Sequence, residues 1–450
     1  MIARRMTAFA ALISLFCSAP GIGATQGGAA GGDFGDWARR NARPVSVSTD
    51  DLSDLEPLRA MIGDARIVSL GEGQHGSAEP LEFRNRLFRF LVEEMGFTAI
   101  ALESGVTAGF SANDYVQGGP GDAEAVARGG ITSGLGGFPQ QAALLRWMRG
   151  YNSNPAHQRK ITFYGMDIAG AAADPDSALE IALSYLDGVD PTAAGALRER
   201  LRPDLPHLRI NRMRDDPDHY THLALPRRDA VTAAIADLVA RFEVKEGAYI
   251  AATSPRRYAI AYRAAVAARY ADDYLRQYPV GWTPADVASG MNAVAVADRA
   301  KTDNIEWILR QLGPEGRLLI FSHFGHAAPT PVTIQFQGRT VALPPMMGEY
   351  LKRRYGPRLV TIGHLLARDA GSCAGEQPPA APTSIQGQLA RASTAPAFLL
   401  DLRGAPPAAA QRLHQPHDLY GQRITHSLNI GEGADILFFT QRVTPASPCP

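Results

Sequence analysis

The sequence predicts an α/β fold: a mostly parallel central sheet flanked by helices, carrying a mainly helical insertion. Three observations point to it. Short apolar runs alternate with stretches of helical periodicity towards both ends of the chain. Most of those runs are continuously apolar, as strands covered by helices on both faces are. Between about 172 and 312 there is almost no strand signal.

The elements follow in order. Residues 1–24 read as a secretory signal peptide. Arg4 and Arg5 precede an apolar run at 8–19, Pro20 and Gly21 break it, and small residues follow. The run is too short to span a bilayer comfortably. It implies a periplasmic or secreted protein with no membrane attachment after cleavage. Residues 25–45 open Gly-rich and read as a flexible linker, and 46–450 as one α/β domain with the insertion at about 172–312. Segment 65–70 (ARIVSL) is the first core strand. Residues 78–95 space Leu81, Leu87, Phe88, Leu91 and Val92 along one helix face, with Pro80 in the first turn and Gly96 just past the end. Segment 98–102 (TAIAL) closes a right-handed βαβ unit. Further strands are expected at 160–165, 317–322, 358–362, 397–402 and 435–440, and long helices at 229–242, 258–278 and 298–312. Segments 202–226 and 371–396 read as loops, as does the His-rich 411–426 with His414, His417 and His426.

Composition narrows the function classes. The chain has 450 residues, 45% hydrophobic and 20% charged, which excludes a disordered or disulfide-scaffold protein. Lys+Arg and Asp+Glu are 45 each, so nucleic acid and anionic membrane are not its expected partners. A small molecule is. Cleavage at 24 removes Cys17 and leaves Cys373 and Cys449, either a disulfide or two separate thiols.

Chemistry-bearing residues follow the core strands. After 65–70 come Glu72 and His75; Glu103 follows 98–102; Asp167 follows 160–165; His323 and His326 follow 317–322. Ligands of open parallel sheets bind beyond the carboxyl ends of the strands, so these six side chains are expected on one rim. Singly, each has a plainer reading as a capping, loop or ion-paired residue. His364 has no partner motif and reads as structural. Gly71–Gly76 also spells G-x-G-x-x-G, but Glu72 would set a carboxylate where a pyrophosphate must lie. Two chemistries use the convergent set. In one, Glu72, His75, Glu103, His323 and His326 ligate zinc, manganese or iron. In the other they serve without metal as base, orienting carboxylate and oxyanion donor. A serine nucleophile is less supported, because no G-x-S-x-G elbow is present.

These residues resemble the erythromycin esterase family. The segment 68–104 carries G-E-x-x-H-G, a helix with Arg84, and a strand ending Ala-Leu-Glu. FYGMD (163–167), DRAKTDNIEWIL (298–309), FSHFGH (321–326) and MMGEYLKRRYG (346–356) resemble later family blocks, in family order. The resemblance implies an α/β core with a helical insertion and hydrolysis of a macrolide lactone, as in antibiotic resistance, or of another ester, with no metal cofactor. It makes His75 the general base and Glu72 and Glu103 active-site carboxylates. His323 and His326 become the second histidine pair, and Arg84 a substrate contact. Asp167, ending the matching F-x-G-x-D strand, is a second expected substrate contact. Phe324 stands where Asn is usual, and Ala297 and Lys301 where Arg and Met are commoner. The expected function is a secreted or periplasmic ester hydrolase; a metallohydrolase or a non-catalytic binding protein on the same scaffold are the alternatives.

Overall fold

The computed structural model describes residues 31–167, 175–208, 216–278, 282–370, 376–422 and 424–447. Residues 1–24, Cys373 and Cys449 lie outside these, and with them the proposed leader and thiol pair. Twelve strands are present among the described residues: β1 (Arg43–Pro44), β2 (Ile67–Glu72), β3 (Ala99–Gly105), β4 (Thr162–Asp167), β5 (Leu318–His323), β6 (Val332–Phe336), β7 (Arg339–Ala342), β8 (Leu359–Leu366), β9 (Ala397–Asp401), β10 (Pro416–Asp418), β11 (His426–Asn429) and β12 (Ile436–Thr440). Eight form one sheet in the order β1-β9-β12-β8-β2-β5-β3-β4. From β12 to β4 neighbours are parallel, and β9 and β1 are antiparallel additions at one edge. The other four form an antiparallel sheet, β10-β11-β6-β7.

The central strands are buried along their length, with every residue of β2, β8 and β12 inaccessible. Helices on both faces account for that. The helix Ala78–Met95 buries Phe83, Leu87, Phe88 and Leu91, and Phe83 stacks on Phe438 of β12 at 3.9 Å. It ends at Gly96, whose φ of 70° is the left-handed conformation that an L side chain resists. On the other face, Ala293–Leu312 packs Ile305, Ile308 and Leu309 against Ile67, Ala99 and Ile320. Between β4 and β5 the described elements are all helical, including Leu225–Ala252 and Pro255–Arg276, with a core of their own. Among the described residues no helix is long and apolar enough to cross a membrane.

Three expectations are corrected. The expected loop at 371–396 holds a helix, Ile385–Ala390, because Ile385 and Leu389 are buried in the same cluster as Phe34 and Trp37. Residues 31–44 of the expected linker form a helix, Gly31–Asn41, and edge strand β1. Phe34, Trp37 and Ala38 are buried against the β9 side of the sheet, which outweighs the glycines around them. The expected loop at 411–426 instead holds β10 and leads into β11, burying His417 and Leu419.

Pairing register sets the rim. In the β2–β5 ladder Glu72 lies opposite His323, and in β3–β4 Gly105 lies opposite Asp167. After β5 the chain turns through a four-residue helix, Phe324–Ala327. Phe324 is fully buried and packs onto Gly71 of β2 and Gly363 of β8. It therefore faces the sheet, not the rim. A Cβ at Gly71 would stand 2.8 Å from Phe324 Cα, a backbone atom that cannot yield alone. Gly71→Ala is expected to cost about 1–3 kcal/mol in denaturant-unfolding stability and to displace the His323–His326 turn. Unchanged stability would refute this packing role.

Candidate active site

The parallel strand ends bring Glu72, Glu103, Asp167 and His323 to one edge. His75 and His326 join them from the turns that follow β2 and β5. His75 Nδ1 lies 2.6 Å from Glu72 Oε1, and its ring is 5.3 Å from that of His323. Glu72 is buried, whereas the His75 side chain is 44% exposed. The carboxylate thus accepts the Nδ1 proton and leaves Nε2 as the ring's basic atom. Desolvation opposes charge on His75. The Glu72 charge and hydrogen bond, helped by Glu103, outweigh it and raise the ring to about 9.

Glu103 is the junction. One of its oxygens accepts the His323 backbone N–H at 2.7 Å, and the other lies 3.3 Å from His326 Nε2 and 4.0 Å from Lys301 Nζ. Burial alone would favour the neutral acid. His326, Lys301 and His75 more than reverse that and hold Glu103 well below the usual carboxylate range. His326 Nδ1 is 2.9 Å from the Asp298 carboxylate, which also accepts the Met347 N–H at 2.9 Å. With a carboxylate facing each nitrogen, the charged form of His326 is favoured; Asp298 and Glu103 raise its pKa against desolvation and the Lys301 charge.

His323 is the opposite case. The Gly325 N–H donates to its Nδ1 at 3.2 Å, so the neutral ring carries its proton on Nε2. Burial, then the charges of His426, His75 and His326, lower its pKa well below the ordinary value. It is a neutral hydrogen-bond donor at the rim. Among the described residues no group of three or more His, Cys, Asp or Glu side chains converges as a metal would require.

Of the two expected substrate contacts, Arg84 lies beneath the rim and Asp167 at its buried end. Arg84 has no exposed surface. It lies over the Phe321 ring at 4.9 Å and donates to Gln141 at 2.9 Å and to Asn85 at 2.7 Å. Burial lowers its pKa, and Glu72 opposes that. It supports β5 from beneath and does not reach the open rim. Asp167 is buried and 3.1 Å from Lys301 Nζ. Glu72 and Glu103 line a mainly apolar cavity with Leu81, Leu102, Ile131 and Phe138, surroundings that strengthen nearby charge interactions.

Sequence reasoning missed His426 and Lys301, and it missed the task of Asp298. His426 opens β11, and pairing of β11 with β6 brings its ring to 5.2 Å from His323. Its Nδ1–H donates to the Ile424 carbonyl at 2.8 Å, which leaves Nε2 as an acceptor, and burial lowers it to about 4. No local motif marks this residue, because its place depends on a strand pair some ninety residues apart in sequence. Lys301 and Asp298 stand three apart on a helix, a spacing that puts both on one face and that sequence alone could have flagged. His364 is structural as expected: it is buried within β8, accepts the Gly73 N–H at 3.2 Å and bonds Thr440 at 2.9 Å.

The raised His75 has a consequence for stability. A histidine raised on folding contributes stability that is fully present below its unfolded value and is lost as pH rises through the folded one. Wild type should lose stability relative to Glu72→Gln between about pH 6.5 and about pH 9. Urea midpoints across that window would show it, and parallel curves would rule out the Glu72–His75 coupling. Because His75 is half-exposed, the difference is expected to shrink in high salt.

Comparisons with known proteins agree with this architecture. A family model for erythromycin esterase matches residues 92–428, a span that contains Glu103, Asp167, Lys301, His323, His326 and His426 and begins after Glu72 and His75. The chain is 26% identical over 338 residues to erythromycin esterase type II of Escherichia coli, covering 73% of this chain and 76% of that protein. Among solved structures, a Bacillus cereus protein superposes with a TM-score of 0.77 at 23% identity, over 92% of this chain and 98% of that one. A mutant erythromycin esterase in its open conformation superposes with a TM-score of 0.65 at 18% identity, over 89% and 96%. The fold and the matched span together show that the chain belongs to the erythromycin esterase family, and so among hydrolases.

Proposed function

We propose that the protein hydrolyses a carboxylic ester or lactone by attack of water, with His75 as general base. One observation carries this reading: a half-exposed His75 with its Nδ1–H directed at buried Glu72 and its ring beside a neutral His323. The parts divide the reaction. His75 Nε2 takes a proton from water as oxygen attacks the carbonyl carbon. The His323 Nε2–H is available to the carbonyl oxygen as negative charge develops on it, where an aimed donor acts most strongly. Collapse breaks the C–O bond, and the proton on His75 passes to the leaving alkoxide. Acid and alcohol are released and the free ring is restored.

His326 has another place in this scheme. Engaged by carboxylates at both nitrogens, it holds Glu103 and the turn instead of exchanging protons with substrate. No metal enters the scheme. The names of the E. coli relatives make a macrolide lactone one candidate substrate, with small esters the other. The charge balance supports a small-molecule partner over nucleic acid or a membrane. The leader-like residues 1–24 support export to the periplasm or beyond, which the mass of the purified native protein would test.

The direct experiment measures turnover of a panel of macrolides and small esters by wild type and His75→Gln. The variant should lose about 10²–10⁴-fold in kcat with its fold retained. A variant as active as wild type would remove His75 as base, and no turnover of any ester or lactone would sink the proposal. Because His75 must be neutral to act, wild-type kcat/KM should climb with pH and level only above about 9. A plateau reached well below neutrality would contradict that assignment.

A further inference from the structure

Along the rim and into the helix beside it a line of charged groups runs without interruption from Asp298 through His326, Glu103 and Lys301 to Asp167. Lys301 is the member that the hydrolytic scheme leaves unused. It lies in the helix Ala293–Leu312, one turn after Asp298, and its side chain is only 3% exposed. The same helix is anchored one turn further on, where Asn304 donates to the Met166 carbonyl at 2.6 Å. Lys301 Nζ is therefore delivered to a fixed point between the ends of β3 and β4, 3.1 Å from Asp167 Oδ2 and 4.0 Å from Glu103 Oε1.

The environment gives that point its meaning. Asp167 faces Lys301 from β4 and Glu103 from β3, with Asp298 on its own helix. His326 faces it from the turn after β5, and Tyr274 from the helix Pro255–Arg276. Two carboxylates share the ammonium. Without it they would be left close together in a buried place, and like charges there disfavour ionisation of one of them. Glu103 is the one whose ionisation matters, because it alone bridges the His323 backbone and the His326 ring.

We propose that Lys301 is a positioning residue of the active site, neutralising the Glu103–Asp167 pair so that Glu103 keeps its grip on His323 and His326. Its effect on turnover rests on the hydrolase reading above; its effect on the charged cluster does not. Lys301 donates to Asp167, faces Glu103 as an ion pair and touches no reacting atom. A merely structural lysine would hold the helix to the sheet and leave the titration of the rim unchanged.

The test is a pH titration of the full chain by NMR, following glutamate carboxyl and histidine ring signals in wild type and Lys301→Met. Methionine keeps the length and removes the charge. Glu103 should titrate about one to three pH units higher in the variant, as loss of a cation within a few ångströms predicts. The His75 and His326 rings should also move up, because a neighbouring positive charge has gone. Curves that overlay the wild type would overturn the proposal, whatever happens to stability. Should Lys301→Met fail to fold, the wild type supplies the reading. The Lys301 ammonium nitrogen signal should shift with the same midpoint as the Glu103 carboxyl, and indifference to that titration would also overturn it. Activity adds a separate arm. On an ester that wild type hydrolyses, the variant should lose kcat more than KM and its acid limb should move to higher pH. Absence of ester turnover in wild type would refute the proposed function and leave the NMR result decisive for Lys301.

Discussion

Glu103 sits near the end of β3, its side chain only 14% exposed, and accepts a backbone N–H from β5 with one oxygen while the other faces the His326 ring. A carboxylate in that position is costly unless every lone pair finds a donor or a cation. The surrounding structure can be understood as what meets that cost. Asp298 at its far nitrogen favours the charged form of His326, Lys301 reaches in from a helix anchored on β4, and the His323 peptide is aligned by the parallel register of β2 and β5. If Glu103 were neutral, the turn after β5 would lose its main polar anchor. His323 would then be free to leave the position beside His75.

That turn is held from the apolar side as well. Phe324 fills the space above two glycines on neighbouring strands, so the polypeptide between His323 and His326 is pressed onto the sheet on one side and tied by carboxylates on the other. The four-residue helix has almost no intrinsic stability of its own. Its geometry is imposed by packing and charge, which is how a short turn can present one imidazole to the rim and keep another beneath it.

The parts legible in the sequence are those that depend on local pattern. The core strands and the helix after β2 follow from apolar runs, a proline in the first turn and a glycine just past the end. The rim follows from the rule that strand carboxyl ends face ligands, which was enough to group Glu72, Glu103, Asp167 and His323. What escaped depends on partners distant in sequence. The glycines of 31–44 suggested a linker because nothing local shows that Phe34 and Trp37 have a surface to pack on. His426 looked like a loop histidine because its strand exists only when paired with β6. Phe324 stands where Asn is usual, and only its close approach to Gly71 and Gly363, on two other strands, fixes which way it faces. Arg84 was expected at the substrate, yet its surroundings are Phe321, Gln141 and Asn85 beneath the surface.

Four imidazoles near one another would ordinarily titrate together, and a site built from them would have no defined acid or base. Here each ring has a different pair of neighbours. His326 has two carboxylates, which favour its charged form. His323 has a backbone N–H on one nitrogen and three other histidines around it, and is neutral with its proton on Nε2. His426 spends its proton on a carbonyl and keeps an acceptor. His75 alone combines a carboxylate on one nitrogen with solvent on the other, the one arrangement of the four that leaves a strengthened base in contact with water. The division of labour thus comes from hydrogen-bond partners fixed by strand register, not from the imidazole itself. It follows that exchanging the partners, and not only the rings, would reassign the roles.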